Sequence, residues 1–207
     1  MKVRESYDSA AEAYAEHLAT ELEHKPLDRH LLNRFAETLR GRGLVADLGC
    51  GPGQIAAYLH GQGVQVVGID LSPEMIRVAS RLYPDLAFQV GDMRQLDLPD
   101  ATLAGAVAFY SIVHFSPADL EPVFREMRRV LVCDGLALLA FHIGDQSVHV
   151  DDLYGAAVSL DFQFHRPSQV VEALGSAGLT VIEDAEREPY EGAEYPSRRC
   201  YLLAKAV

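Results

Sequence analysis

Basic residues are scarce in this chain: 18 lysines and arginines face 30 aspartates and glutamates, a formal net charge of −12 over 207 residues. A surface so acidic repels phosphate backbones and anionic headgroups, so neither nucleic acid nor a membrane is an expected partner. Long apolar runs are missing too. No stretch approaches the roughly 20 apolar residues that cross a bilayer, and Met1-Lys2-Val3-Arg4-Glu5-Ser6 leads into a polar amphipathic segment without a signal-peptide core, so a cytoplasmic protein is expected. Cysteine is sparse. Cys50, Cys133 and Cys200 are odd in number and far apart, with no CxxC spacing, so no zinc site is expected and each reads as a reduced, buried side chain. Repeats and low-complexity tracts are absent. At 49% hydrophobic residues the chain is long enough to bury one sizeable core, and a single domain over 1–207 is expected.

What is present is a regular alternation of elements. Tyr7, Ala11, Tyr14, Leu18 and Leu22 fall three and four apart, predicting a helix over 6–23, and a second follows from Leu27 to Leu39 before Gly41 and Gly43. These make an N-terminal helical cap over 1–40. Apolar runs at 44–48, 64–69, 86–90, 103–109 and 135–142 read as strands separated by helices, two of which start with Ser-Pro at 72–73 and 116–117, the second with Asp119 close to a capping box. Continuous apolar strands alternating with helices imply a parallel sheet covered on both faces, with sites at the carboxyl ends of the strands. Residues 144–165 change character: Val158, Leu160, Phe162 and Phe164 alternate with polar residues, the period of a half-buried rim strand, and the segment is expected to be an insertion beside the acceptor. A helix over 167–176 and strands at 179–182 and 200–204 close the chain, with a possible antiparallel pair at its end.

The densest signal is Asp47-Leu48-Gly49-Cys50-Gly51-Pro52-Gly53, a glycine turn between a strand and a helix, followed by Asp70 at the end of the next strand. Glycines let a ligand approach the backbone, and a carboxylate roughly 20 residues on is placed for a ribose. A dinucleotide fingerprint requires a third glycine where Gln54 stands, and a P-loop requires Gly-Lys-Ser/Thr where Gly53-Gln54-Ile55 stands. Asp47, two positions before the first glycine, would repel a pyrophosphate and suits a ligand bearing an ammonium and a sulfonium. That description fits S-adenosyl-L-methionine, leaving S-adenosyl-L-homocysteine as product.

On these residues the chain resembles the class I S-adenosylmethionine-dependent methyltransferases, over nearly its whole length. The glycine turn is similar to the family's first motif, and Gly68-Ile69-Asp70-Leu71-Ser72 to its second, which implies that Asp70 holds both ribose hydroxyls with Leu71 beside it. Gly91-Asp92-Met93 resembles the third, implying Asp92 at the adenine amino group and Met93 along the ring. The fourth falls at 108–114, where Tyr110 and Ser111 would border the methyl donor. The resemblance implies an α/β, Rossmann-like seven-stranded sheet of order 3-2-1-4-5-7-6, with strand 7 antiparallel and helices on both faces. It also implies methyl transfer to a small-molecule acceptor by in-line displacement, in a monomer or homodimer.

Side-chain roles on the acceptor side have two readings each. His114, after the fourth strand, is the candidate general base, or it caps the strand through a backbone carbonyl. His142 and His149 are weaker versions of the same idea. Tyr7 and Tyr14 either close over the cofactor or form the apolar stripe of a packed helix. Arg198 and Arg199 either clamp an acceptor carboxylate or pair at the surface with Glu191 or Glu194, and Tyr154, Phe162 and Phe164 line an acceptor pocket or are core. No metal is expected, because strand four ends without a carboxylate and only Asp145 follows strand five. The rival functions are S-adenosylmethionine binding without transfer, as a regulatory or scaffold subunit or a cofactor-assisted cyclase, and a nicotinamide oxidoreductase.

Overall fold

In the computed structural model, which describes residues 2–207, the apolar runs lie side by side in one sheet. The chain runs α1 (Lys2–Leu18), α2 (Pro26–Leu39), β1 (Leu44–Leu48), α3 (Gln54–Gly61), β2 (Gln65–Asp70), α4 (Pro73–Leu82), β3 (Ala87–Val90), β4 (Leu103–Phe109), α5 (Pro117–Val130) and β5 (Leu131–His142). It continues through β6 (Ser147–Leu153), β7 (Ala156–Gln163), α6 (Pro167–Ser176), β8 (Leu179–Arg187) and β9 (Arg199–Ala206). The sheet order is β3-β2-β1-β4-β5-β9-β8, with β9 antiparallel to both neighbours and the remaining pairs parallel. This is the expected Rossmann-like order, since β6 and β7 stand outside the sheet as a separate hairpin.

Burial on both faces explains why the strands are uniformly apolar. Every residue of β4 is buried, and alternate residues of β1 go to opposite layers: Val45 packs with Phe35 and Leu39 of α2 and Ile55 of α3, while Ala46 and Leu48 share a layer with Phe124 of α5 and Val170 of α6. Each fully buried Leu or Phe in these layers contributes about 1.5–3 kcal/mol. The central strands therefore fix the position of everything at their carboxyl ends.

Several boundaries differ from the sequence reading for identifiable reasons. The first helix stops at Leu18, and Leu22 sits in a separate 3-10 turn over Glu21–His24. At the α5–β5 junction the helix ends at Val130, and Leu131 already pairs with Leu103; the irregularity from 132 to 135 is absorbed by Asp134 in the left-handed region at φ +61°. That turn leaves Cys133 exposed, which corrects its assignment as a buried side chain, while Cys50 and Cys200 are buried. Strand β8 runs on to Arg187 because its outward face can be charged. The segment after β5 holds two strands, not one. Ser147–Leu153 was not legible as a strand because Asp151 and Asp152 interrupt its alternation at a register shift opposite β7.

Helix α1 is fixed at both sides of its exposed position. Asp8 Oδ1 accepts from the Ser72 hydroxyl (2.6 Å) and the Glu74 amide (3.3 Å), reinforcing the cap in which Ser72 Oγ accepts from the Met75 amide at 3.1 Å. Ser6 Oγ accepts from the Ser159 amide of β7 at 3.0 Å. The helix thus bridges α4 and the hairpin, across the carboxyl ends of the strands.

Candidate active site

The glycine turn follows β1 as its sequence requires. Gly49 has φ +72°, and a Cβ there would lie 2.4 Å from the Ser111 Cβ. Gly53 has φ +88°, with the Phe88 ring 2.7 Å from its would-be Cβ. Both positions need glycine for conformation and for space. Asp70 ties the turn to β2, accepting from the Gly51 amide on Oδ2 (2.9 Å) and from the Ser72 amide on Oδ1 (2.8 Å). Burial raises the Asp70 pKa against these hydrogen bonds, which favour its charged form.

Around this turn lies a cavity of about 300 Å³, bordered by Asp47, Gly49, Gly51, Asp70, Leu71, Asp92 and Met93, and on its other side by Tyr7, Tyr14, Tyr110, Ser111 and His114. Three of its polar groups are buried without a hydrogen-bond partner among the described residues, Asp47 Oδ2, Gln54 Oε1 and Ser111 Oγ. Leaving such atoms unmet costs about 1–3 kcal/mol each, so they mark where ligand atoms belong. Burial pushes the Asp47 carboxyl up to about 7, helped by the nearby Asp70 charge and opposed by a backbone hydrogen bond from Ala56. A cationic group beside it would restore the carboxylate. At the far end, Asp92 is clamped by its neighbour Arg94, with Nη2 at 2.5 Å from Oδ2, so an adenine amino group there would share the carboxylate with a guanidinium. Asp47, Asp70 and Asp92 border this one cavity together with the glycine turn and Met93, and these residues fit S-adenosylmethionine.

A second, larger cavity of about 730 Å³ adjoins it, and the two share Tyr7, Tyr14, Gln54, Ile55, Phe109 and Tyr110. Its other borders come from α1, the Glu21–His24 turn, the hairpin and the loop before β9, including His142, Tyr154, Phe162, Phe164 and Arg199. Between the cavities Tyr110 takes the left-handed conformation at φ +54°, which costs a non-glycine residue on the order of 1 kcal/mol. Its hydroxyl is held by Asp28 Oδ1 (3.2 Å) and Tyr201 (3.0 Å).

Histidine roles separate in this geometry. His114 Nδ1 lies 3.1 Å from the Asp161 carbonyl and can only donate to it, so Nε2 accepts from the Tyr7 hydroxyl at 2.8 Å. Burial lowers the His114 pKa, keeping the ring neutral at pH 7. His142 borders the larger cavity. His149 lies elsewhere: it faces out from the hairpin with an exposed partner, Asp161 Oδ1, at 2.8 Å, and does not border either cavity. Arg198 is also half-exposed, pairing with Glu186 (2.7 Å) and Glu188 (3.1 Å), so the substrate-side assignment does not suit it. The next residue, Arg199, is the buried one, 3.2 Å from Glu194. Residue alternation in β9 turns one arginine out and the next in.

One cluster escaped the sequence reading. Asp28 is fully buried and accepts from the Tyr201 hydroxyl (2.8 Å) and Arg187 Nη2 (3.0 Å), while Arg187 also grips Glu194, which lies 4.0 Å from Lys25. The available signal was Asp28 itself, which continues the apolar stripe of Leu32, Phe35 and Leu39 on α2. A carboxylate on a buried stripe needs a partner, but Tyr110 is 82 residues away and Arg187 and Tyr201 more than 150.

Comparison with known proteins agrees with this geometry. A family model described as "Methyltransferase domain" matches residues 45–135. An uncharacterized methyltransferase of Bacillus subtilis is 29% identical over 77% of this chain, and a putative methyltransferase of the same organism is 27% identical over 91%. The chain spans 65% and 75% of the lengths of these two relatives. The structure of 1,6-didemethyltoxoflavin-N1-methyltransferase from Burkholderia thailandensis, which contains S-adenosylhomocysteine, superposes over 99% of this chain and 87% of its own, with a TM-score of 0.73 at 20% identity. The sheet order is that of the class I S-adenosylmethionine-dependent methyltransferase fold, and the matched domain and the relatives support that family for this chain. The cofactor of that family is S-adenosylmethionine, and the oxidoreductase alternative is set aside.

Proposed function

We propose that this protein transfers a methyl group from S-adenosylmethionine to a small-molecule acceptor held in the larger cavity. The observation that carries this reading is the shared wall: a cavity suited to the cofactor opens beside a second one large enough for a metabolite, both capped by α1. When bound, S-adenosylmethionine supplies a methyl group already activated on a sulfonium. Asp47 would meet its ammonium, the backbone at Gly49 and Gly51 would lie against it, and Asp70 would take the ribose hydroxyls. Leu71, Asp92 and Met93 would face the adenine. Tyr14, Tyr110 and Ser111 would border the boundary where acceptor and methyl group meet. In-line displacement needs alignment in a water-poor space, and such positioning is worth about 7–11 kcal/mol.

An acceptor that must shed a proton needs a base. His114 is neutral and sits at the boundary, but its Nε2 lone pair is occupied by Tyr7. An acceptor hydroxyl or amine that displaces the Tyr7 hydroxyl would find that lone pair free. The same hydrogen bond favours the second reading, binding without transfer, because it leaves the imidazole engaged. Quantifying S-adenosylhomocysteine formation across a panel of small acceptors separates the two; binding without turnover throughout would reject methyl transfer. With an active acceptor that loses a proton, His114→Ala is expected to reduce turnover about 100-fold. Because burial lowers the His114 pKa, the base form is complete at neutral pH, so the wild-type rate should stay level above pH 7 and fall only on the acid side of the usual histidine range. Unchanged turnover of the variant from pH 6 to 9 would leave positioning as the whole of catalysis.

A further inference from the structure

Resting on the methyl-transfer reading, we propose that the larger cavity takes an uncharged, flat aromatic compound whose ring system carries a carbonyl oxygen or ring nitrogen. Of the chain's eight phenylalanines and nine tyrosines, three and five respectively border this one cavity. Several are already arranged as ring-on-ring walls. Phe164 stacks on His142 with centroids 5.0 Å apart at 19°, and Tyr195 meets both edge-on at 6.0 and 6.2 Å. On the opposite lip, Tyr154 of the hairpin turn stacks on His17 of α1 at 3.8 Å, with Tyr14 at 5.7 Å. Rings in these arrangements offer faces and edges to another flat ring. A volume of about 730 Å³ accommodates two or three fused or linked rings.

Charge in the same wall excludes a charged acceptor. Each carboxylate that borders the cavity already faces a cation: Glu21 with Lys25 at 2.6 Å, Glu194 with Arg199 at 3.2 Å, and Asp28 with Arg187 at 3.0 Å. An acceptor carboxylate or ammonium would have to break one of these pairs or be buried without a counter-ion, and either costs several kcal/mol.

What the wall does offer is a neutral donor. Arg199 Nη1 donates to the Ser197 hydroxyl oxygen (3.2 Å), and in the tautomer assigned by this proposal that hydroxyl donates to His142 Nδ1 at 2.6 Å. The ring's own proton then sits on Nε2, which meets no acceptor among the described residues. Burial, with the nearby Arg199 and Lys25 charges, holds the His142 pKa at about 3, so the ring does not become a cation at working pH. A carbonyl or ring nitrogen satisfies this donor, and a purely hydrocarbon ring does not.

The test is calorimetric binding to the full-length protein saturated with S-adenosylhomocysteine, at pH 6.5, using flavone, 2-quinolone, 2-naphthoate and nonanoate. The uncharged ring compounds are expected to bind at least tenfold more tightly than the naphthoate and the ringless nonanoate. His142→Phe keeps a ring against Phe164 and removes the donor; it should weaken flavone about five- to tenfold with S-adenosylhomocysteine affinity unchanged. Equal or tighter binding of 2-naphthoate or nonanoate, failure of both neutral ring compounds, or an indifferent His142→Phe overturns the inference while the methyl-transfer reading stands. Failure of S-adenosylhomocysteine itself to bind would remove that reading and this inference together.

Discussion

Asp28→Ala is expected to lower the free energy of unfolding by about 3–5 kcal/mol, the range for removing one partner of a buried ion pair. Asp28 is inaccessible to solvent, and its carboxylate holds Arg187, Tyr201 and Tyr110 at once. Truncation leaves the buried group of Lys25, Arg187 and Arg199 balanced by only Glu21 and Glu194, and takes the shared acceptor from the Tyr110 and Tyr201 hydroxyls. Asp28→Asn keeps an acceptor for the hydroxyls but not the charge, so it should fall between the wild type and Asp28→Ala. Urea denaturation measures the difference, and a loss below 1 kcal/mol would mean the cluster contributes little. Activity should suffer beyond stability. Tyr110, which borders both cavities in a strained backbone conformation, loses its anchor and with it the shape of the shared wall.

The second large effect falls on the cofactor. Asp70→Ala should weaken S-adenosylhomocysteine binding by about 2–4 kcal/mol, roughly 30- to 1000-fold. Two contributions add: the ribose hydroxyls lose a charge-assisted acceptor, and the amides of Gly51 and Ser72 lose the carboxylate that holds the glycine turn against β2. Asp70→Asn retains one acceptor oxygen and should lose less. An affinity within threefold of wild type would separate Asp70 from the ribose.

Which parts of this were legible in the sequence follows the range of the interactions involved. The strands at 44–48 and 103–109 and the turn between Asp47 and Gly53 are specified locally, by uninterrupted apolar residues and by glycines at positive φ, and they appear where their residues indicate. Ser72 likewise caps α4 as its Ser-Pro step suggests. Asp28 and Arg199 gave no comparable signal, because their burial depends on β8, β9 and α2 converging from distant parts of the chain. Sequence adjacency even misled at 198–199. Two arginines in a row look equivalent until a strand sends one to solvent and one to the interior. The hairpin strand at 147–153 is hidden for a different reason, since its mixed burial follows the larger cavity it borders and not a core.

The central claim is that the cavity beside Asp47 and Asp70 is built for an adenosine nucleoside carrying an amino-acid end, and one calorimetric titration tests it most directly. S-adenosylhomocysteine, with NADH as comparator, is titrated at pH 8 and at pH 6. Because Asp47 ionises near 7 in the empty cavity and must be a carboxylate to pair with the ligand ammonium, binding should be tight at pH 8 and weaker at pH 6. NADH should bind at neither pH. Tighter binding of NADH, or no binding of S-adenosylhomocysteine at pH 8, would contradict the account.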